Sequence, residues 1–167
     1  ILEVSRTDQH FSQVRTFPFR RVGIIGLGMM GGSICKGIKL KDPSIHLSTV
    51  SLNNEDFSQE INAGWIDQEA SSLKALIDKS DLIILASPIS TIVPIAQEIH
   101  RLHTGHPLTI IDIGSVKSQI VNAFEELTKE NLQYVGTHPM AGKETQGFAN
   151  SQATLFTGYP WIITPHV

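Results

Sequence analysis

The fold is decided by residues 22–33, which have the sequence VGIIGLGMMGGS. Val22–Ile25 is a short apolar run, and such a run is typical of a buried strand. Gly26-Leu27-Gly28-Met29-Met30-Gly31 follows it directly and matches the pattern G-x-G-x-x-G. A helix is predicted to begin in this string and to continue to about Lys41, before Asp42-Pro43. This order of strand, glycine-rich turn and helix predicts the start of a dinucleotide-binding βαβ unit.

Each glycine of the turn has a separate predicted role. Gly26 permits the tight turn, Gly28 lets the backbone approach a pyrophosphate, and Gly31 lets the helix pack closely on the strand. The amino terminus of the helix adds unpaired N–H groups and a partial positive charge, which favour phosphate. We therefore expect the whole string to bind a dinucleotide, with Met29 and Met30 contributing mainly by packing. The alternative is a glycine-rich turn without a ligand.

Strands and helices alternate along the rest of the chain. Further strands are predicted at residues 46–51, 81–86, 108–113, 133–136 and 161–164. Helices are predicted at residues 54–63, after Ser71-Ser72, at 91–103 and at 116–129. Ser90 is the predicted cap of the helix at 91–103, and Pro94 is placed in the first turn of that helix. Capping of the helix at 116–129 is an alternative or additional role for Ser115.

This alternation predicts an α/β fold with a doubly wound, mostly parallel sheet of the Rossmann type. The short, continuously apolar strands agree, because parallel strands are covered on both faces. Ligands bind such sheets at the carboxyl ends of the strands. The loops expected to share that rim begin near Gly26, Ser51, Ser87, Gly114 and His138.

Composition narrows the functional class. Of 167 residues, 41% are hydrophobic and 17% charged, and the formal net charge is −3. These values are typical of a globular domain and give no support to a nucleic-acid partner. No apolar run reaches the roughly 20 residues of a membrane span. We expect an N-terminal tail over residues 1–20 and a dinucleotide-binding domain over residues 21–167.

The single cysteine, Cys35, is expected to be an inert buried thiol. One cysteine fits a reducing compartment, so a cytoplasmic location is expected. The histidines show no spacing typical of metal ligands, and no metal site is predicted.

The end of the second strand bears on the choice of coenzyme. NAD-binding domains usually place a carboxylate there, about 20 residues after the turn, to bind the ribose 2′-hydroxyl. Ser51 occupies that position, and Glu55 and Asp56 are predicted to lie in the next helix. Ser51 and Asn53 can donate hydrogen bonds to a 2′-phosphate, so the sequence favours NADP over NAD, although no arginine follows to supply charge. The alternative is that Glu55 binds the ribose.

Three further segments follow predicted strands. They are Ala86-Ser87-Pro88-Ile89, Asp112-Ile113-Gly114-Ser115-Val116-Lys117, and Gly136-Thr137-His138-Pro139-Met140-Ala141-Gly142. Together with the glycine turn, these strings resemble the prephenate/arogenate dehydrogenase family over about residues 21–166. The pattern D-x-G-S-V-K followed by G-x-H-P-M-A-G is far more specific than the turn alone.

The resemblance implies an oxidoreductase of tyrosine biosynthesis. Such an enzyme converts prephenate to 4-hydroxyphenylpyruvate, or arogenate to tyrosine, by oxidative decarboxylation with NAD or NADP. His138 matches the catalytic histidine, which binds the substrate hydroxyl and accepts its proton. An imidazole suits this role because its ordinary pKa of about 6.5 lies near working pH.

Other family positions map onto this chain in the same way. Ser115 matches a serine that contacts the substrate hydroxyl and the nicotinamide, and Ser87 and Pro88 are expected at the coenzyme. Glu144 matches a glutamate that gates the substrate site. Lys117 is expected to have a supporting role, and Lys143 departs from the small residue expected there.

The resemblance also implies a C-terminal helical domain that forms the homodimer and supplies an arginine to the substrate carboxylates. No arginine follows Arg101, and the sequence ends at Val167 without having begun at methionine. We therefore expect a piece of a longer protein that binds dinucleotide but turns over poorly. Two alternatives stay open: another dehydrogenase with a Rossmann half and a helical half, of the 3-hydroxy-acid dehydrogenase or imine reductase type, and a non-catalytic dinucleotide-binding module.

Overall fold

A computed structural model describes residues 17–142 and 144–164 of the chain. The first elements are β1 (Arg21–Ile25), α1 (Met29–Lys41), β2 (His46–Thr49), α2 (Ser58–Asn62), β3 (Gln68–Glu69), α3 (Leu73–Lys79) and β4 (Leu82–Leu85). They are followed by α4 (Ile89–Leu102), β5 (Leu108–Asp112), α5 (Ser118–Leu127), β6 (Leu132–Pro139), a 3₁₀ turn (Phe148–Asn150) and β7 (Trp161–Thr164).

In the described ranges the strands form one sheet of seven, in the order β3-β2-β1-β4-β5-β6-β7. Strands β1 to β6 pair in parallel, and β7 pairs antiparallel with β6. The predicted doubly wound, mostly parallel fold is therefore confirmed. The order reverses between β1 and β4, where Val22 lies opposite both Leu47 of β2 and Leu82 of β4. A ligand crevice is expected outside the carboxyl ends of these two strands.

Apolar side chains cover both faces of the sheet. Helices α3, α4 and α5 bury one face around Leu76, Ile92 and Phe124. Tyr134 of β6 lies in the same cluster, and its hydroxyl donates a hydrogen bond to the Ala96 carbonyl at 2.7 Å. Helix α1 buries the other face, where Cys35 is fully buried, as predicted.

The α1 face carries an open apolar groove of about 500 Å³ over β4 and β5. Ile84 and Ile111 lie along its floor, and Phe17, Phe19 and Trp161 contribute to its walls. The predicted N-terminal tail thus contacts the domain through residues 17–19, while residues 1–16 lie outside the described part. No helix in the described ranges is both long and apolar enough to cross a membrane.

The predicted start of α4 is wrong. The helix begins at Ile89 with Pro88 as its N-cap residue, and Ser90 lies inside the first turn. Pro88 has φ −52°, which suits helix entry, and the Thr91 hydroxyl donates a hydrogen bond to its carbonyl at 2.7 Å. Because the helix starts earlier than predicted, Pro94 lies in the second turn and not in the first.

The helix predicted at residues 54–63 is shorter, and Glu55 and Asp56 lie in the loop before it. Asn54 has φ 57°, a left-handed conformation that a helix does not contain. The Asp56 carboxylate then accepts a hydrogen bond from the Ser58 amide at 2.9 Å, which supports the start of α2 at Ser58.

The strand predicted at residues 133–136 is longer, because β7 pairs with its second half. His138 therefore lies within β6, opposite Ile162, and not in a loop. The short strand β3 and the 3₁₀ turn were not predicted.

Candidate functional site

The glycine turn lies between the ends of β1 and β4. Gly26 has φ +97°, and a Cβ built on it would lie 2.6 Å from the Ser87 amide nitrogen. A Cβ on Gly31 would lie 2.0 Å from the Gly26 carbonyl oxygen. A Cβ on Gly28, in contrast, would meet no described atom within 4 Å. Gly26 and Gly31 are thus required by the fold of the turn, whereas Gly28 leaves space that a ligand can approach.

Gly28 is also the N-cap residue of α1 and provides no capping side chain. The first amides of a helix have no intrahelical acceptor. The first turn of α1 contains no acidic residue, so its partial positive charge is not offset there. This combination favours a bound phosphate at the turn.

A groove of about 570 Å³ runs along the carboxyl ends of the strands. Its lining joins the glycine turn to the loops after β4 and β5 and to the segment Thr145–Gly147. The predicted coenzyme residues in this lining are Gly26, Leu27, Gly28, Met29, Met30, Ser87, Pro88 and Ser115. The structure therefore brings together predicted coenzyme residues from three separate segments of the sequence, from Gly26 to Ser115.

The remaining predicted residues lie around this groove. Gly31 packs beneath the turn, Asn53 lines an adjoining groove of about 360 Å³, and Ser51 lines neither. Glu144 is exposed and lies outside both linings, next to Thr145–Gly147. Lys143 is outside the described residues.

Asp112 connects the Ser115 loop to the His138 strand. Its fully buried carboxylate accepts hydrogen bonds from the Gly114 amide at 2.8 Å, from the Thr137 amide at 3.1 Å and from the Lys117 ammonium. The Thr137 hydroxyl also donates to the Asp112 carbonyl at 2.5 Å. The buried charge is thereby paired and hydrogen-bonded, which is the condition for keeping it in the interior.

This network also explains why Ser115 is not the cap of α5. The helix begins at Ser118, because Lys117 is drawn back to Asp112 and residues 114–117 form a loop. Ser115 is exposed at the edge of the groove. The supporting role expected of Lys117 thus has a structural basis in its ion pair.

His138 lies beside this network at the carboxyl end of β6. Side chains alternate along a strand, so His138 shares a face with Gly136 and Tyr134. A Cβ on Gly136 would lie 3.2 Å from Val121, which places this face against α5. The Nδ1 atom of His138 is buried and has no hydrogen-bond partner among the described residues. A buried polar atom without a partner is uncommon in proteins, and His138 lies outside the lining of the groove.

Glu55 is the site residue that sequence reasoning underestimated. Its Oε2 atom accepts hydrogen bonds from the Ser51 hydroxyl at 2.9 Å and from the Leu52 and Asn53 amides at 3.1 Å each. Burial alone would raise the pKa of Glu55, but the hydrogen bonds from Asn53, Ser51 and Leu52 lower it overall, which favours the carboxylate. The available signal was the turn-forming pair Asn53-Asn54 just before the acid.

In the described ranges, no group of three or more His, Cys, Asp or Glu side chains is arranged to hold a metal ion.

Similarity to known proteins agrees with this geometry. Prephenate dehydrogenase from Bacillus subtilis (strain 168) is 30% identical over 142 residues, which are 85% of this chain and 38% of that protein. The crystal structure of A. aeolicus prephenate dehydrogenase in complex with hydroxyphenyl propionate and NAD+ matches with a TM-score of 0.80 at 30% identity. The match covers 91% of this chain and 52% of that one.

The crystal structure of Synechocystis arogenate dehydrogenase matches with a TM-score of 0.77 at 25% identity. This match covers 87% of this chain and 50% of that one. This chain spans about half the length of these solved relatives, and less of the Bacillus protein. Residues 34–167 match the family described as prephenate dehydrogenase, nucleotide-binding domain. The chain therefore belongs to the prephenate dehydrogenase family, of which it carries the nucleotide-binding domain.

Proposed function

We propose that residues 21–167 form the coenzyme-binding half of an NAD(P)-dependent dehydrogenase that oxidatively decarboxylates prephenate or arogenate. One observation carries this proposal: a groove of about 570 Å³ connects the glycine turn to Ser115, and His138 lies at the same edge of the sheet, with no hydrogen-bond partner for its buried Nδ1 among the described residues. The relatives named above support the class of reaction.

The groove fits a dinucleotide at several points. The open space at Gly28 and the unpaired amides of α1 suit the pyrophosphate. Ser87, Pro88 and Ser115 line the path from the turn towards β6, which suits the nicotinamide half. When bound, the coenzyme supplies a nicotinamide ring that accepts a hydride.

His138 and Ser115 are proposed to act on the substrate. The substrate hydroxyl donates its proton to an imidazole nitrogen of His138 as the hydride leaves the same ring carbon. The ring carboxylate then departs as carbon dioxide, and the electron pair of the broken bond makes the ring aromatic. The Ser115 hydroxyl holds the substrate hydroxyl in position. Glu144, beside the groove-lining residues 145–147, is proposed to gate substrate entry.

The substrate carboxylates need cations that the described part of the groove does not supply, since Glu55 is the charged residue in its lining. We infer that those cations, and the homodimer contact, belong to a helical domain C-terminal to this one. Turnover by the 167-residue chain alone is then expected to be low. Membership of the prephenate dehydrogenase family favours this reaction over that of an imine reductase or a 3-hydroxy-acid dehydrogenase.

The test is a steady-state assay of the complete protein with prephenate and arogenate, each with NAD+ and NADP+. We expect His138→Asn to lower kcat by at least about 100-fold, the usual contribution of a general base. His46→Asn is the matched control, because His46 is exposed at the amino end of β2, at the opposite edge of the sheet. Full activity in His138→Asn, or no reduction of either coenzyme by the wild type, would contradict the proposal.

A further inference from the structure

The loop after β2 presents a carboxylate to the coenzyme groove. Glu55 lines both the groove of the glycine turn and the adjoining groove formed by Val50, Asn53 and Pro94. It is the only charged residue among the described residues of either lining. Any group bound between the glycine turn and the end of β2 therefore meets one negative charge, with no described cation to balance it.

The Glu55 carboxylate is anchored by its own loop at the edge of both grooves. Oε2 accepts hydrogen bonds from the Ser51 hydroxyl and from the Leu52 and Asn53 amides, and the residue lines both grooves. The three bonds fix the carboxylate in place, and a fixed acceptor binds a hydroxyl group with less loss of side-chain entropy.

We propose that Glu55 selects NAD over NADP by accepting a hydrogen bond from the adenosine ribose 2′-hydroxyl and by repelling a 2′-phosphate. This inference rests on the proposed coenzyme site. NAD-binding domains usually place this carboxylate at the end of the second strand. Here it comes four residues later, at Glu55, after the left-handed conformation of Asn54 turns the chain.

The sequence favours NADP because Ser51 and Asn53 could bind a 2′-phosphate. The hydrogen bonds of Glu55 argue for the opposite preference. The Ser51 hydroxyl donates to Glu55 and so is not free for a phosphate oxygen. The Leu52 and Asn53 amides are used in the same way. These donors are therefore not available to a 2′-phosphate, because they already bind Glu55. The phosphate would also be repelled by the negative charge of the Glu55 carboxylate.

The experiment is calorimetric titration of the 167-residue chain with NAD+ and with NADP+. We expect NAD+ to bind at least about tenfold more tightly, because a hydrogen bond to a charged group and a like-charge contact both favour it. Glu55→Gln keeps the size of the side chain and removes its charge. It should reduce the ratio of the two affinities by about tenfold.

Asp56→Asn is the matched control, since it removes the same charge one residue away. The Asp56 carboxylate binds Ser58 and lies outside both groove linings, so the affinity ratio should not change. Asn53→Arg tests the site from the other direction while Glu55 stays in place. It adds a cation beside the groove and should raise the affinity for NADP+.

Equal or tighter binding of NADP+ by the wild type would overturn the inference, and so would an unchanged ratio in Glu55→Gln. If neither coenzyme binds, the inference and the proposed coenzyme site both fail. If NAD+ binds selectively but the complete protein reduces no coenzyme with prephenate or arogenate, the proposed function fails and the role of Glu55 stands.

Discussion

Gly28 and Gly31 belong to the same turn, but a side chain at each position would have a different effect. A methyl group on Gly31 would collide with the Gly26 carbonyl, at 2.0 Å, while one on Gly28 would enter open space within the groove. One glycine is therefore needed for folding and the other for ligand approach. Sequence spacing predicts both positions, and the structure separates the reasons for them.

We expect Gly28→Ala to change the free energy of unfolding by less than about 1 kcal/mol, since its backbone is in an ordinary extended conformation with φ −74°. The same substitution should weaken coenzyme binding by at least about tenfold, because the methyl group blocks the pyrophosphate. Gly31→Ala should cost about 2 kcal/mol or more from overpacking. Urea denaturation and calorimetry measure the two effects, and similar behaviour of both variants would contradict the assignment.

The ion pair between Lys117 and the fully buried Asp112 is the second feature at this scale. Lys117→Met leaves a buried carboxylate without its counter-charge, so we expect a loss of about 3 kcal/mol in the free energy of unfolding. Lys74→Met is the control, because Lys74 pairs with Asp78 at 2.5 Å on the exposed surface of α3 and should cost under about 0.5 kcal/mol. If chemical denaturation gives equal losses for the two variants, the buried ion pair stabilises the fold no more than the exposed one does.

At the scale of elements, local chemistry decides some boundaries and distant contacts decide others. The start of α3 is local: the Ser72 hydroxyl accepts a hydrogen bond from the Ala75 amide at 3.1 Å, as its sequence position predicts. The start of α5 is not local, because Lys117 is held by Asp112 of β5. The length of β6 depends on β7, which is remote in sequence.

Ser72→Ala removes the α3 cap and should lower the free energy of unfolding by about 1 kcal/mol. Ser71→Ala is the neighbouring control, since Ser71 is exposed and lies outside the cap bond. Thermal or urea unfolding of the two variants measures the difference. A loss in Ser71→Ala as large as that in Ser72→Ala would show that the hydroxyl bond is not the cause.

The sequence therefore predicts β1, α1, α3, β4, β5 and β7 well, because each depends on periodicity, glycine or a local cap. It predicts most of the groove lining too, because strand ends of a parallel sheet meet at one edge. It does not predict that Glu55 leaves the helix, since that requires the left-handed conformation of Asn54. It does not place His138 in a strand, since that requires pairing with Ile162.

At the scale of the whole molecule, the core imposes a pH dependence on stability. Burial raises the pKa of the Cys35 thiol from 9.0 to about 12, and burial also raises the pKa of Tyr134. The unfolded chain therefore loses these protons first as pH rises. The Cys35 contribution to stability is complete below pH 9.0 and is lost progressively towards pH 12.

We expect the free energy of unfolding to fall more steeply above pH 9.0 in the wild type than in Cys35→Ala, which lacks the thiol. Urea denaturation at a series of alkaline pH values compares the slopes, so any constant cost of the smaller side chain cancels. Tyr134 remains in both proteins and accounts for the residual slope. Identical slopes would mean that Cys35 ionises equally in the folded and unfolded chain.

The proposed function requires the glycine turn and His138 to act on one bound coenzyme and its substrate. The groove extends from the turn to Ser115, and His138 lies outside its lining at the same edge of the sheet. A crystal structure of the chain with NAD+ tests this most directly. We predict the pyrophosphate within hydrogen-bond distance of the main-chain amides at Gly28–Met30, with the nicotinamide ring beside Ser115 and facing His138. A dinucleotide bound elsewhere, or a nicotinamide ring on the far side of the sheet from His138, would contradict it.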